Sequence, residues 1–352
     1  MIKKDKTVTA VLEDILSHIR NLEKVKFSEF LANPEKKPTN AEYHVLIIDS
    51  FLSRIPEKYG FIWHNQLLLY NGTYWEEVED HELENFLLDC AISMGAPWLS
   101  HKHYRQKEAL RKQLISSVNK PNYTSQTAIN LLNGTLRFNP TPTLTDFKKD
   151  DYLNYQLPFS YDEKAKSELF QSYLNRCLPD QSAQNVLSEY IGYIFINKTT
   201  LNLEKFLVLY GTGANGKSVF FEIITALIGS TNITNFSLEE ICDKHSFHRA
   251  EMHNKKLNYC SEINNGIIRN SGIIKQMASR EPISARRPGK SPFIMRNYPL
   301  IIFNVNNLPT ITDTSYGFYR RLLIIPFTVT IPENERDPKK KKKIIKKELP
   351  GI

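Results

Sequence analysis

Residues 206–218 read Phe-Leu-Val-Leu-Tyr, then Gly211-Thr-Gly-Ala-Asn-Gly216-Lys217-Ser218. A helical apolar pattern follows from Val219 to Ile228 and stops at Gly229. The five-residue apolar run reads as a buried parallel strand. The pattern that ends on glycine reads as a helix. The loop between them has the form G-x-x-x-x-G-K-S in the strand–loop–helix setting that gives it meaning. Its glycines let backbone N–H groups converge on an anion, and the helix N-terminus adds a partial positive charge. Gly211, Thr212, Gly213, Ala214, Asn215, Gly216, Lys217 and Ser218 are therefore the expected cradle for a nucleoside triphosphate. Lys217 is expected to reach the β- and γ-phosphates, and Ser218 to offer its hydroxyl to Mg²⁺.

Three more short apolar runs, Leu257–Cys260, Leu300–Val305 and Leu322–Ile325, recur downstream. Helical patterns lie between the first three runs of the set. Strands alternating with helices predict an α/β domain built on a mainly parallel sheet. Upstream, Val11, Leu12, Ile15, Ile19 and Leu22 have helical spacing, and Asn33–Pro38 reads as a linker. Two β-rich runs flank Asn71-Gly72, a hairpin signal. Trp63 and Trp75 beside it are read as core, with a base-stacking platform as the minor alternative. Helices are expected over 81–119, 165–178 and 181–194, and a short strand at Thr135–Phe138. The predicted division is a helical segment and linker at 1–42, a mixed α+β domain at 43–162, the α/β core at 163–335 and a lysine-rich tail at 336–352.

Three features could act on a bound nucleotide. The strand Leu257–Cys260 leads to Ser261-Glu262, and a strand-end acid beside a γ-phosphate can polarise the attacking water. Equally, many strands simply end in glutamate. The strand Leu300–Val305 delivers Asn306, which could orient the same water or merely begin the turn before Pro309. Arg320-Arg321 precede the last strand. An arginine there can neutralise transition-state charge, even across a subunit boundary; in isolation the pair reads as surface charge. From Lys217 to Glu262 is 45 positions, to Asn306 a further 44, and to Arg321 a further 15. That spacing fits one small ATPase core without large inserted lids. Between the acid and the amide, residues 280–296 hold five basic residues, one acid and the turn Pro288-Gly289. This reads as a cationic hairpin. Arg286, Arg287 and Lys290 are placed for nucleic-acid phosphates, with a solvated basic loop as the alternative.

The net charge is +8 in 352 residues. Seven lysines and one glutamate fall within 339–352, so the remainder carries only +2. The tail reads either as a solvated end or as a non-specific phosphate binder. Four scattered cysteines make no disulfide framework and suggest a reducing compartment. No run has the length of a membrane span, and the start lacks the apolar stretch of a signal peptide. A soluble cytoplasmic protein that does not engage membranes is the expectation. Cys242, His245, His248, His253 and Cys260 cluster loosely, but their spacing matches no common structural zinc site.

The phrases YGTGANGKSVFFEII, LNYCSEI, FNVNNLP and GFYRRLLIIPF together resemble the superfamily-3 helicase domain of phage, plasmid and poxvirus primase-helicases, within the AAA+ class. LLNGTLRF, DYLNYQLPFSYDEKA and LSEYIGYIF resemble the region that precedes that domain, so the likeness runs over about residues 60–330. The resemblance implies an AAA+ P-loop core after a smaller α+β domain, and ATP-dependent translocation on single-stranded DNA during replication of a mobile element. It makes Lys217 and Ser218 the Walker A residues, Glu262 the Walker B acid, Asn306 the sensor-1 amide and Arg321 a finger reaching a neighbour's ATP in a homo-hexamer. It also implies that the hairpin projects into a central channel, and that a separate primase or replication initiator is a partner. Ser261 departs from the pattern where many ATPases have a second acid for Mg²⁺. No primase domain is expected upstream, and the chain ends about thirty residues after Arg321, where relatives often continue into a DNA-binding region. Two other classes remain: an ATP-switched DNA-binding protein without unwinding, and a small-molecule kinase, for which no acceptor motif or lid is evident.

Overall fold

Apolar residues at helical spacing bury one face of the first helix. In the computed structural model, which describes residues 7–64, 66–97, 103–120, 127–243, 247–261, 271–308, 313, 315–337 and 339–352, Val11, Leu12, Ile15 and Ile19 of α1 (Val8–Arg20) are all buried. Leu22 falls beyond the helix end and is exposed. The chain divides into two compact units, Met1–Thr124 with Phe147–Tyr155, and Ser125–Asp146 with Gln156–Ile352.

In the first unit, α2 (Asn40–Arg54) starts with a capping box in which Thr39 and Glu42 satisfy each other's backbone N–H. A three-stranded antiparallel meander follows: β1 (Gly60–Trp63), β2 (Leu67–Tyr70) and β3 (Trp75–Glu77). The run before Asn71 thus holds two strands, because the chain already reverses between Trp63 and Leu67. The Asn71-Gly72 turn joins β2 to β3. Gly72 has φ +102°, and Asn71 Oδ1 accepts from the N–H groups of Thr73 (2.9 Å) and Tyr74 (3.0 Å). Helices α3 (Asp80–Ser93) and α4 (Tyr104–Ser117) complete the unit. Trp75 is buried, with its indole N–H on the Lys149 carbonyl at 2.9 Å. It is a core residue; Trp63 is partly buried against the helices.

The second unit opens with the antiparallel β4 (Ala128–Leu131), β5 (Gly134–Asn139) and β6 (Thr141–Thr145). Helices α5 (Glu168–Cys177) and α6 (Gln181–Tyr193) lead to β7 (Phe206–Tyr210) and α7 (Lys217–Ile228). After these come β8 (Ile233–Thr234), β9 (Leu257–Cys260), α8 (Ser271–Ala278), β10 (Ile283–Ala285), β11 (Phe293–Met295), β12 (Leu300–Val305), β13 (Leu322–Pro326) and α9 (Lys340–Lys347). Five strands form a parallel sheet in the order β13-β7-β12-β9-β8. Both faces are covered. Leu207, Leu209, Leu300 and Ile302 enter one apolar layer, while Phe206, Val208, Ile301, Phe303 and Val305 enter the other. That alternation explains why β7 and β12 read as unbroken apolar runs. The core of the second unit is α/β of the P-loop type, and the first unit is a smaller α+β one.

The lysine-rich end is not a free tail. Ile344 interrupts the lysines and is fully buried in the first layer. Glu348 accepts the free N–H groups of Leu169 (3.0 Å) and Phe170 (2.9 Å) in the first turn of α5. Lys341 pairs with Glu222 on α7. Among the described residues, no helix is long and apolar enough to cross a membrane.

Candidate functional site

In a parallel sheet all the strand ends that lead into loops of one kind share an edge, and ligands bind where the strand order reverses. Here β7 is followed in sequence by β8 at the far edge. The strands on either side of β7 are β12 and β13. The loop 211–218 leaves β7 at that reversal.

The loop is pinned on all sides. Gly211 N–H donates to the Val305 carbonyl at the end of β12, 3.1 Å. Asn215, buried, donates its amide to the Phe327 carbonyl beyond β13, 3.0 Å. Ile331 N–H reaches the Ala214 carbonyl at 2.8 Å. A Cβ on Gly211 would lie 2.3 Å from both Asn215 Nδ2 and Phe327 O, so only glycine fits. Gly213 (φ +111°), Ala214 (φ +50°) and Gly216 (φ +93°) take left-handed backbone, the geometry that turns successive N–H groups to one side. Thr212, Ala214 and Ser218 are exposed, with Ser218 in the first turn of α7.

Lys217 is buried, and its ammonium donates to Gly211 O (2.5 Å), Asn215 Oδ1 (3.2 Å) and Asn306 Oδ1 (3.3 Å). All three acceptors are uncharged. Burial therefore pushes the Lys217 pKa below the usual lysine range. A buried cation held, among the described residues, by neutral dipoles, above left-handed loop backbone at a helix N-terminus, fits a phosphate anion. The residues present therefore suit a nucleoside triphosphate. Ser218, in the first turn of α7, is exposed beside them.

The structure brings Lys217 and Asn306 together through the pairing of β12 with β7, where Val305 stands opposite Tyr210. β9 pairs with β12 up to Cys260 opposite Phe303, so its carboxyl end lies on the same edge; Glu262 itself lies outside the described residues. Arg321 is not at this edge. It precedes β13, whose Leu322 pairs with Phe206 at the start of β7. Its guanidinium turns inward to Ser279 Oγ (2.8 Å) and the Gly317 carbonyl. Arg320 is more exposed and pairs with Glu204 at 2.9 Å.

β10 and β11 form the expected antiparallel hairpin, with Ile283 opposite Met295 and Ala285 opposite Phe293. Ile283, Ala285 and Met295 anchor its base in the second apolar layer. At the tip, Lys290 N–H returns to the Arg287 carbonyl (3.1 Å), with Pro288 and a left-handed Gly289 between them. That is a type II turn. Arg286 and Lys290 are exposed; Arg287 is half-buried over the Phe293 ring. Phe293 also packs edge-on against His253. Cys242 and Cys260 are buried in the second apolar layer, and burial pushes the Cys242 thiol up to about 11. His245 lies outside the described residues.

Two supports of the loop carry no sequence signal. Tyr173 on α5 donates its hydroxyl to the Gly216 carbonyl at 2.8 Å. Cys177, one turn on, would lie 3.0 Å from a Cβ at Gly216, which keeps that position small.

Residues 59–179 match the family described as D5 N terminal like, and residues 209–321 match one described as a family of unknown function, DUF5906. A segment of 184 residues is 26% identical to a protein of Acanthamoeba polyphaga mimivirus named "Putative helicase L207/L206". It covers 49% of this chain and 18% of that protein, so the chain spans well under two thirds of its relative. The apo structure of the NrS-1 C terminal region superposes with TM-score 0.56 at 10% identity, covering 88% of this chain and 68% of that one. A second structure of this region, residues 305–718, gives 0.55 at 12% identity, covering 90% and 70%. Residues 59–179 therefore resemble a D5 N-terminal region, and the chain resembles a protein described as a helicase; the structural matches bear on the fold.

Proposed function

We propose that this chain is an ATP-driven, superfamily-3-type DNA helicase core that moves on single-stranded DNA during replication of a phage, plasmid or other mobile element. The observation that carries the reading is Lys217, a buried ammonium held by Gly211, Asn215 and Asn306 without a carboxylate partner among the described residues. A triphosphate supplies the missing negative charge.

In this reading, the loop N–H groups hold the phosphates and Lys217 neutralises charge that grows on the γ-phosphoryl oxygens. Ser218, with water, would hold a Mg²⁺ that would help neutralise the triphosphate charge. Glu262 polarises water, and Asn306 both orients that water and positions Lys217. Arg286, Arg287 and Lys290 grip backbone phosphates without regard to sequence. Six copies in a ring place an arginine of the 320–321 pair at each neighbour's nucleotide. A separate primase or initiator completes the replication machinery. The mimivirus relative's name and the D5-like region support the helicase class.

One observation favours a second reading. Arg321 is bound by Ser279 and Gly317 of its own chain and must release them to act across a boundary. If it does not, the chain is an ATP-switched DNA-binding protein without unwinding. ATP hydrolysis with and without single-stranded DNA, beside a strand-displacement assay, decides. Stimulated hydrolysis with displacement supports the motor; stimulation alone supports the switch; DNA-independent turnover that phosphorylates a metabolite overturns both.

A further inference from the structure

Helix α9 divides its residues by side. Ile344 is fully buried, Lys341 pairs with Glu222, and Glu348 caps α5, so one side faces the second unit's core. Lys339, Lys342, Lys343, Lys346 and Lys347 are all exposed. At about 100° per residue these five fall within an arc of roughly 140° opposite the buried side. They span about 12 Å along the axis. None of their side chains has an ion pair or hydrogen bond among the described residues, whereas Lys340 reaches Ser172 and Lys341 reaches Glu222. Five like charges on two turns repel one another and lower the stability of the helix they sit on. A packed seam and a capping carboxylate hold the helix in place nonetheless.

We propose that this lysine face is a nucleic-acid contact surface, separate in sequence from the hairpin at 286–290, that binds the phosphodiester backbone without sequence preference. Charge complementarity argues for a polyanion. A membrane surface is the other anionic partner, but interfacial helices bind by burying a free apolar face. The apolar side of α9 is already committed: Ile344 is buried, and Ile345 packs against the same layer. What remains is charge on a rigid support, which suits phosphates displayed along a strand. The support itself is the phosphate-loop scaffold, since α9 touches α7 through Glu222 and α5 through Glu348. The inference rests on the reading of the chain as a DNA enzyme.

The test replaces all five lysines by Gln in the full chain, leaving Lys340, Lys341, Ile344 and Glu348 untouched. Gln keeps helix propensity close to that of Lys, and circular dichroism checks the fold. Binding of a fluorescent oligo-dT single strand, and of a duplex of the same length, is measured against salt concentration. The variant is expected to bind single strands about tenfold or more weakly, with the log–log salt slope reduced by roughly 3, at ~0.7 per lost contact. The hairpin triple variant should lose its own share of slope, and the two losses should add. If the wild type binds no nucleic acid, the DNA-enzyme reading falls and this inference with it. If the wild type binds and the five-lysine variant keeps the wild-type slope, the inference alone is overturned. Wild-type binding to phosphatidylserine vesicles or to polyglutamate that matches its DNA binding, and is lost in the variant, also overturns it.

Discussion

The loop at 211–218 and the basic hairpin, assigned under the proposed function to nucleotide and DNA phosphates, are built in opposite ways. The loop is immobilised at four residues by three elements. β12 holds Gly211, the chain after β13 holds Asn215 and Ala214, and α5 holds Gly216 through Tyr173. Its cation is buried. The hairpin is anchored by Ile283, Ala285, Met295 and Phe293 on the second apolar layer, while Arg286 and Lys290 near its turn are exposed. Transition-state stabilisation depends on charge fixed before the reaction, so that nothing reorganises during it. Gripping a strand of any sequence needs charge that adapts to backbone phosphates. The difference teaches that, if the proposed function holds, the same residue types serve chemistry or grip according to how they are anchored.

The largest expected break falls on the loop. Lys217→Ala should reduce ATP hydrolysis by about 10³-fold or more, because a buried charge aimed at the γ-phosphate is removed. Glu262→Gln should bind ATP but not turn it over, measured by nucleotide titration beside phosphate release; native turnover in that variant removes the acid assignment. Lys217 also predicts a pH dependence. Burial lowers its pKa, so in the nucleotide-free chain the ammonium loses its proton at a pH below the ordinary ~10.4 of lysine. ATP affinity should therefore fall as pH rises through that lowered value. In Lys217→Arg the fall should be absent, since guanidinium stays charged. An identical alkaline loss in both proteins assigns the titration elsewhere.

The arginine pair comes next and tests whether the fixed half of the site is complete within one chain. Arg321→Ala should slow turnover by about 10³-fold if it serves a neighbour. It should also lower the melting temperature, because Ser279 and Gly317 lose their partner. Arg320→Ala removes, among the described residues, one half-exposed pair with Glu204 and should leave stability unchanged. Mixing Lys217→Ala with Arg321→Ala subunits should restore part of the hydrolysis. If stability falls without any rescue by mixing, Arg321 is a packing residue, and Arg320 should be tested the same way.

The hairpin prediction is smaller and concerns binding. Replacing Arg286, Arg287 and Lys290 together by Ala should reduce the single-strand salt slope by roughly 2, at ~0.7 per contact. Basal hydrolysis should survive, since none of the three is proposed to touch the nucleotide. A loss of basal hydrolysis erases the distinction between the two regions.

What was legible in the sequence follows how local each determinant is. The loop, its strand and helix, and the Pro288-Gly289 turn are contiguous patterns, and the structure has them where the residues read. The pairing of Asn306 with Lys217 required only that β12 stand beside β7. The braces were not legible: Tyr173 to Gly216, Asn215 to Phe327 and Glu348 to Leu169 join residues 43, 112 and 179 positions apart. A tyrosine in an amphipathic helix looks like any core aromatic until its hydroxyl finds a carbonyl. The lysine end reads as a solvated end or a phosphate-binding tail, and neither reading foresees that the one interruption, Ile344, anchors it in the core. The stretch 60–70 read as one strand because a reversal between Trp63 and Leu67 carries no glycine or proline.

Tyr173 gives the finest test of the pinned loop. Its hydroxyl donates to the Gly216 carbonyl at 2.8 Å, and that carbonyl also accepts the Phe220 N–H at 3.0 Å within α7. Tyr173→Phe therefore leaves the acceptor with one partner rather than none. The loss should be that of a typical net hydrogen bond, about 1 kcal/mol, rather than the larger penalty of an orphaned buried group. The ring remains in the same apolar layer, so packing is preserved. Because the bond restrains Gly216, the left-handed residue directly before Lys217, its loss should appear chiefly as disorder of the empty cradle. Bound phosphates supply their own restraint on the loop. The expected result is an ATP Kd raised about fivefold, with kcat at saturating ATP close to native and the melting temperature only slightly lower. Tyr173→Ala, which also removes the ring, should lower the melting temperature by several times as much. A kcat loss in Tyr173→Phe as large as its Kd change would mean that the brace shapes the transition state as well. A melting-temperature loss with unchanged Kd would reduce Tyr173 to a packing residue, and would place the rigidity of the loop in Gly211, Asn215 and Phe327 alone.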